Sequence, residues 1–331
     1  VAHFKDIAQR ILNFNPIDIN DLIIDIGSND GTLLRCFKNV GYDNVLGVDP
    51  ADEIANEATQ NGIPTINAYM DKETANKIFK EHGKGSVITA NNVYAHVDDL
   101  AGMTNAIKAV LAEDGIFIFE VSYLLDVVEK MLIGTIFHEH LCYHSVKTLS
   151  RFLKTQGMEL IHVERGPEQG GSIVGYAQFS DGPQDIQNSV AKLLKLEKEC
   201  KLDKPETIRG MYEGLESVKV KVRSLISDLR KNSKTVAGFG AARAGTTLLS
   251  YFQIGDQIDF LVDDNKNKHY KFSPGDKLEV FPTSDIYTKK PNYLLILAWL
   301  HADKIIQNHK RYLDEGGIFL RLFPGVNEIK S

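Results

Sequence analysis

The stretch Leu22-Ile23-Ile24-Asp25-Ile26-Gly27-Ser28-Asn29-Asp30-Gly31 changes character halfway. A short apolar run holding one acid gives way to glycines and small polar residues, which reads as a buried strand entering a tight turn. Thr32 to Asn39 then resumes a helical pattern, so the unit is strand, glycine turn, helix. Working outward, residues 3 to 14 have helical apolar spacing and stop before Asn15-Pro16. Val45 to Asp49, Ser86 to Thr89 and Gly115 to Glu120 read as further strands, with a helix at about 100 to 112. Strands alternating with helices predict a mostly parallel, doubly wound sheet.

Beyond it, residues 146 to 157 resemble a helix, Met158 to Glu164 a strand, and Gly171 to Phe179 its hairpin partner. From Pro183 to Asn232 the pattern is long, helical and highly charged. A second αβ series follows: a strand at Thr235 to Gly238, a glycine turn, and a helix through Ser250. It continues with strands at Ile258 to Asp263 and Tyr293 to Leu297, and ends with one at Ile318 to Arg321. The expected organisation is α/β: a Rossmann-like domain over 1–182, a helical connector over 183–232, and a second Rossmann-like domain over 233–331.

Bulk properties agree with this. At 331 residues the chain has room for two domains, and 43% hydrophobic with 25% charged residues is ordinary globular composition. A net charge of −6 argues against nucleic-acid binding through general basic attraction. No apolar run reaches the ~18 residues of a membrane span, and the first residues lack a signal-peptide core. Cys36, Cys142 and Cys200 are far apart, which argues against a disulfide framework or a four-cysteine zinc site. A reduced, cytoplasmic setting is expected, with no nucleic-acid or membrane partner.

At the first turn, Gly27 and Gly31 let a ligand approach the backbone. Asp49 closes the next strand, 24 residues after Asp25. There a carboxylate can accept hydrogen bonds from two ribose hydroxyls, which suits an adenosine-containing ligand. NAD sites use G-x-G-x-x-G, whereas the spacing here is Gly27-x-x-x-Gly31, the pattern of S-adenosylmethionine (SAM) methyltransferases. The bland alternative is a tight turn with no ligand. Asp25, Gly27, Ser28, Asn29, Gly31, Asp49 and Pro50 are the candidate cofactor residues. Residues past the carboxyl end of a strand line the crevice of such a sheet. Asn91, Asn92 and Val93 therefore join the cofactor set, and His96 is expected to face the acceptor unless it caps a helix or sits in the core.

The second glycine loop, Gly238-Phe239-Gly240-Ala241-Ala242-Arg243-Ala244-Gly245, also follows a strand and opens a helix, a natural place for phosphate. Asp263 and Asp264 after the next strand mimic an NAD site, though the glycine spacing is not the strict one. An adapted Rossmann fold with an empty site is the alternative. Trp299 and His301 follow a strand end and face the same cleft, or Trp299 is simply core. The remaining concentration of chemistry is Phe137-His138-Glu139-His140-Leu141-Cys142-Tyr143-His144, with three histidines and a glutamate. His140 and His144 are four apart, so one helical face would present both to zinc, with His138 or Cys142 as a third ligand. The pattern is not H-E-x-x-H and no second cluster completes a shell. A plain polar surface is another alternative; an acid/base centre is the reading taken, and no metal is expected.

Taken together, these motifs resemble the SAM-dependent sugar C-methyltransferases that act on nucleotide-linked keto-deoxysugars. The matching residues are Asp25 to Leu34, Ala90 to His96, Phe119-Glu120-Val121, Gly134 to His144, Gly170 to Ile173 and Gly238 to Leu249. The resemblance implies a central SAM domain, S-adenosylhomocysteine (SAH) as product, and a C-terminal Rossmann-like domain that helps hold a sugar nucleotide between the two. It places the base at His140, with Glu139 beside it to orient groups or hold a substrate hydroxyl. The base removes a proton next to the ketone, and the enolate attacks the methyl sulfonium in line. The developing oxyanion needs a donor. Family members commonly have tyrosine where this chain has Phe137, so His96, Tyr143 or His144 would supply it. Phe137, His138, Gly171, Ser172, Gly240, Arg243 and Trp299 are the candidate acceptor-binding residues. Val174 and Ala244 replace basic residues common in the family. Nothing corresponds to its usual N-terminal zinc domain, which leaves a separate zinc-domain partner as an open expectation. Three other functions stay open: a methyltransferase of a non-sugar acceptor, an NAD-dependent oxidoreductase using residues 238 to 264, and a non-catalytic SAM sensor.

Overall fold

The computed structural model describes residues 2–323 and 325–331. They form two compact units. The first runs through Leu125 and resumes over His138–Lys201; the second comprises Asp126–Phe137 and Leu202–Ser331.

The first unit begins with α1 (Ala2–Phe14), β1 (Ile23–Ile26), α2 (Thr32–Lys38), β2 (Val45–Val48), α3 (Asp52–Gln60), β3 (Thr65–Ile66) and α4 (Lys72–Glu81). It continues with β4 (Gly85–Asn91), α5 (Leu100–Val110), β5 (Leu111–Ser122) and α6 (Leu124–Glu129), within which the chain passes to the second unit. After the return come α7 (Val146–Thr155), β6 (Met158–Gly166), β7 (Ser172–Phe179) and α8 (Asn188–Glu199). The strands lie in the order β3-β2-β1-β4-β5-β7-β6. The first five are parallel and β7 runs antiparallel to both neighbours. Every residue of β1 and β2 is buried, which is why both read as continuous apolar runs. Ile23, Val45, Val87 and Ile116 of the sheet pack with Ile7 and Ile11 of α1 and Leu33, Leu34 and Phe37 of α2. At about 2 kcal/mol for each large apolar side chain removed from water, this layer fixes where β1 ends.

The second unit repeats the plan with α9 (Pro205–Lys231), β8 (Val236–Phe239), α10 (Arg243–Phe252), β9 (Leu261–Asp263), β10 (Val280–Pro282), α11 (Asp285–Lys289), β11 (Tyr293–Ile296), α12 (Ala302–Asn308), α13 (Lys310–Asp314), β12 (Ile318–Arg321) and β13 (Asn327–Ile329). Its strand order is β10-β9-β8-β11-β12-β13, parallel except for β13. Three details differ from the sequence reading. The strand expected from Ile258 shortens to Leu261–Asp263, because Asp259 instead holds the start of β8: its carboxylate accepts from Val236 N at 2.8 Å and from Arg230 at 2.8 Å. β12 is not the last strand, since β13 folds back on it. The charged stretch from 183 to 232 is two helices, α8 and α9, divided between the units at Leu202.

Candidate active site

Sheet order in the first unit reverses direction between β1 and β4, and ligands in open α/β sheets bind outside the carboxyl ends of the strands at such a switch point. A cavity of about 770 Å³ lies there, within the size range of small-ligand sites. Asp25, Gly27, Ser28, Asn29, Asp49, Pro50, Asn91, Asn92, Val93 and His96, all singled out in the sequence, line it. Gly31 is not among the lining residues. It stands at the N-terminus of α2, where it faces the side chain of Ile63.

The turn is shaped by backbone demands. Gly27 has φ of +68°, and a Cβ there would collide with Cγ2 of Val93, so glycine is needed both for the conformation and for the closeness of the β4 loop. Gly27 N donates to Val48 O at 2.7 Å, tying the turn to the end of β2. Asp49, one residue further, accepts from Asn29 N on Oδ2 and from Ala51 N on Oδ1, both at 2.9 Å. Those bonds lock the carboxylate toward the cavity and leave further lone pairs on both oxygens. Three cavity atoms fit a polar ligand: Ser28 Oγ and both amide atoms of Asn91 are buried without a hydrogen-bond partner, a costly condition that a ligand would relieve. Burial pushes the Asp25 carboxyl up to about 7, against the Thr89 hydroxyl that donates to it and with the nearby charge of Asp49 adding to the rise. Asn92, in the left-handed region at φ of 56°, has its amide oxygen taken by Gln169 Nε2 at 2.9 Å.

The histidine segment is not a helix; residues 138 to 144 form an irregular loop. Leu141 N and Cys142 N both donate to Ala95 O, at 3.1 and 3.2 Å, instead of to carbonyls of their own segment. That arrangement abolishes the shared helical face proposed for zinc. It also brings the His140 and His96 rings together edge to face, with centroids 4.8 Å apart, and Tyr143 at 6.0 Å from His140. His138 and Glu139 are exposed, at 86% and 54% of the side chain.

Two candidates sit elsewhere than expected. His144 is buried, 6% exposed, and stacks on Tyr94. Burial pushes its pKa down to about 4, against the pull of a hydrogen bond to the Tyr94 backbone. Burial therefore favours its neutral form and packs it into the wall instead of exposing it. A histidine depressed in the fold contributes stability above its unfolded value near 6.5 that is lost as pH falls toward 4. Unfolding by urea at pH 7.5 and 5.0 should show the wild type losing about 2 kcal/mol more than His144→Phe over that interval. Ser172 is 1% exposed and its hydroxyl donates to Glu120 Oε1 at 2.8 Å, so burial removes it from an acceptor's reach. Gly171 next to it uses its carbonyl to accept from Tyr123 N.

In the second unit the equivalent turn is filled by the protein itself. Gly240, at φ of +106°, lies so close to Ala298 that a Cβ would sit 2.8 Å from the alanine methyl. Asp263 accepts from Ala241 N and Asn265 N, as Asp49 does in its own unit, but Lys268 Nζ also binds it at 3.0 Å. The carboxylate that would take a ribose in an NAD site is thus neutralised from within. Arg243, the first residue of α10, lays its guanidinium over the Phe137 ring, 3.3 Å from the centroid. Trp299 packs on Phe323 with centroids 5.0 Å apart. Cavity residues that sequence reasoning missed include Phe4, Tyr69, Met70 and Met103. They come from three separate places in the chain and carry no shared spacing.

Two family models match successive parts of the chain. Residues 3–163 match the family described as "Methyltransferase domain", and residues 167–324 match "C-methyltransferase C-terminal domain". The chain is 31% identical to "C-methyltransferase NovU" of Streptomyces niveus over 332 aligned residues, which cover 100% of this chain and 79% of that protein. Among solved structures, a SAM-dependent methyltransferase from Clostridium acetobutylicum ATCC 824 matches at 14% identity and a TM-score of 0.44, over 54% of this chain and 91% of that one. Magnesium protoporphyrin IX methyltransferase from Synechocystis PCC 6803 matches at 14% identity and 0.43, over 54% and 83%. Residues 238 to 264, the oxidoreductase alternative, fall inside the C-methyltransferase match. The chain belongs to the C-methyltransferases, enzymes whose methyl donor is SAM.

Proposed function

We propose that the enzyme methylates a carbon next to the ketone of a keto-sugar carried on a nucleoside diphosphate, with His140 as base. The observation that carries this reading is the edge-to-face His96–His140 pair, 4.8 Å between centroids, with His96 at the cavity wall. The motif resemblance to keto-deoxysugar C-methyltransferases supports the substrate class.

Asp49 would hold the cofactor ribose, and Ser28 and Asn91, with their unsatisfied buried atoms, its polar groups; when bound, the cofactor supplies an electrophilic methyl group. The remaining chemistry belongs to the chain. An imidazole nitrogen of His140 takes the proton from the carbon next to the carbonyl. The C–H electron pair becomes the carbon–carbon double bond of the enolate, and the carbonyl pair moves onto oxygen. His96, or the Tyr143 hydroxyl, donates to that oxygen. Histidine suits the task because its ordinary pKa lies near neutrality. Glu139, exposed beside His140, would orient a sugar hydroxyl.

Arg243 is proposed as the diphosphate contact. Stacking on Phe137 restrains the guanidinium, whose planar N–H fork matches phosphate oxygens. Arg243→Ala should raise the KM for the sugar nucleotide about 10- to 100-fold, as for loss of one or two charged hydrogen bonds, and lower kcat far less. A steady-state titration of the acceptor checks this; equal losses in both constants would place Arg243 elsewhere.

The substrate class is tested by incubating the enzyme with methyl-¹³C SAM and nucleoside-diphosphate 4-keto-6-deoxysugars and recording the product's carbon spectrum. A methyl carbon coupled to a ring carbon supports the reading. A methyl on oxygen, or no transfer to any keto-sugar, overturns it.

A further inference from the structure

We infer that His3 is a positioning residue for cofactor binding: it clamps the start of α1, and with it Phe4, over the cavity by bridging the carboxylates of Glu120 and Glu168. This rests on the reading that the cavity holds SAM and SAH. His3 Nε2 lies 2.9 Å from Glu120 Oε2, and its Nδ1 lies 3.0 Å from Glu168 Oε1. Nε2 makes a hydrogen bond to Glu120, and Nδ1 lies at ion-pair distance from Glu168. Glu120 gains a polar partner from it. Its side chain is fully buried and its other oxygen already accepts from Ser172, and a buried carboxylate is unfavourable unless paired.

The clamp joins three elements around the cavity. Glu120, near the end of β5, pairs with Asn91 of β4, a lining residue. Glu168 sits in the turn whose next residue, Gln169, holds Asn92. Phe4, beside His3, lines the cavity and packs on the sheet's core. The rest of α1 is held independently by buried Ile7, Ala8 and Ile11 and by Arg10, which pairs with Asp6 and Glu164. Loss of His3 should therefore free the first turn alone. The three side chains also have ligand atoms within 4.8 Å of one another, as a metal site would. One ion takes only one ring nitrogen, however, and here each nitrogen faces its own carboxylate, which fits a direct side-chain bridge.

The test is calorimetric titration of SAH into the full chain. His3→Ala and Phe4→Ala should each weaken binding about tenfold, the effect of exposing part of one aromatic side chain. The double variant should be no weaker than the poorer single one, because both changes break one device. In turnover, His3→Ala should raise the KM for SAM more than it lowers kcat. Arg10→Met should lower Tm without moving SAH affinity. Additive effects in the double variant, or SAH binding within twofold of wild type in His3→Ala, would overturn the clamp. So would loss of wild-type affinity with EDTA that Zn²⁺ restores. Failure of the wild type to bind SAH at all would instead sink the reading of the cavity itself.

Discussion

His140→Ala should lower kcat by about 10²–10⁴, the usual contribution of a positioned general base, while SAH binds as in the wild type. The expectation follows from how His140 is held. Its loop is pinned by two N–H groups on Ala95 O, the residue before His96, so the two rings meet through the backbone and not only through their own contact. Removing the His140 ring leaves the cavity wall at His96 and the loop anchors in place, which is why cofactor affinity should be spared. The two rings lie 4.8 Å apart, so one is in reach of the carbon to be deprotonated while the other is in reach of the neighbouring oxygen in the proposed pose. The sharper readout is proton exchange. With a keto-sugar in D₂O and no SAM, the wild type should exchange the hydrogen next to the ketone, and His140→Ala should lose that exchange along with turnover. Exchange that survives at the wild-type rate in His140→Ala would assign the base elsewhere, with Tyr143 and His96 the next to test. Loss of turnover with exchange intact would make His140 a group that acts after proton removal.

The double plan of the chain was legible because its parallel strands are buried on both faces and so appear as uninterrupted apolar runs ending at glycine turns. β3 escaped because it is two residues long and only half buried, and β13 because an exposed antiparallel edge carries little apolar signal. The first glycine turn was legible for a local reason: strand, glycine, and an acid one strand later are all set by short-range geometry. The histidine segment misled in one respect. Its three- and four-residue spacings imitate a helix face, but Leu141 N and Cys142 N find their acceptor at Ala95, more than forty residues back along the chain, and no local pattern announces such a bond. Distance in sequence hides the rest. His3 and Glu120 are 117 residues apart, and both were either unremarked or merely part of a motif until the fold brought them together. The partner of Ser172 was hidden for the same reason, since its motif gave no hint that a buried carboxylate waited for its hydroxyl.

Asp49→Ala should weaken SAH binding by about 10²-fold or more, from the loss of two hydrogen bonds to a charged acceptor at roughly 1.5–3 kcal/mol each. The carboxylate has a second task that adds to the loss. By accepting from Asn29 N it holds that residue in the left-handed region, at φ of 51°, and so fixes the lip of the turn. Asp49→Asn separates the two contributions: one side-chain oxygen remains to accept, the charge does not, and binding should fall between wild type and the alanine variant. The second unit provides the internal control. Asp263, the last residue of β9, accepts equivalent turn amides, yet Lys268 closes it. Asp263→Ala should accordingly lower Tm and leave SAH affinity unchanged, and NAD should give no binding heat with either protein. Calorimetry on the three variants decides the matter. SAH affinity within threefold of wild type in Asp49→Ala would remove the cofactor from this cavity, and a loss in Asp263→Ala instead would move it to the second glycine turn. The contrast turns on one lysine. Two units with the same strand order and an acid at the end of the second strand diverge in chemistry because in one the acid's free lone pairs face a cavity, and in the other they are already bound.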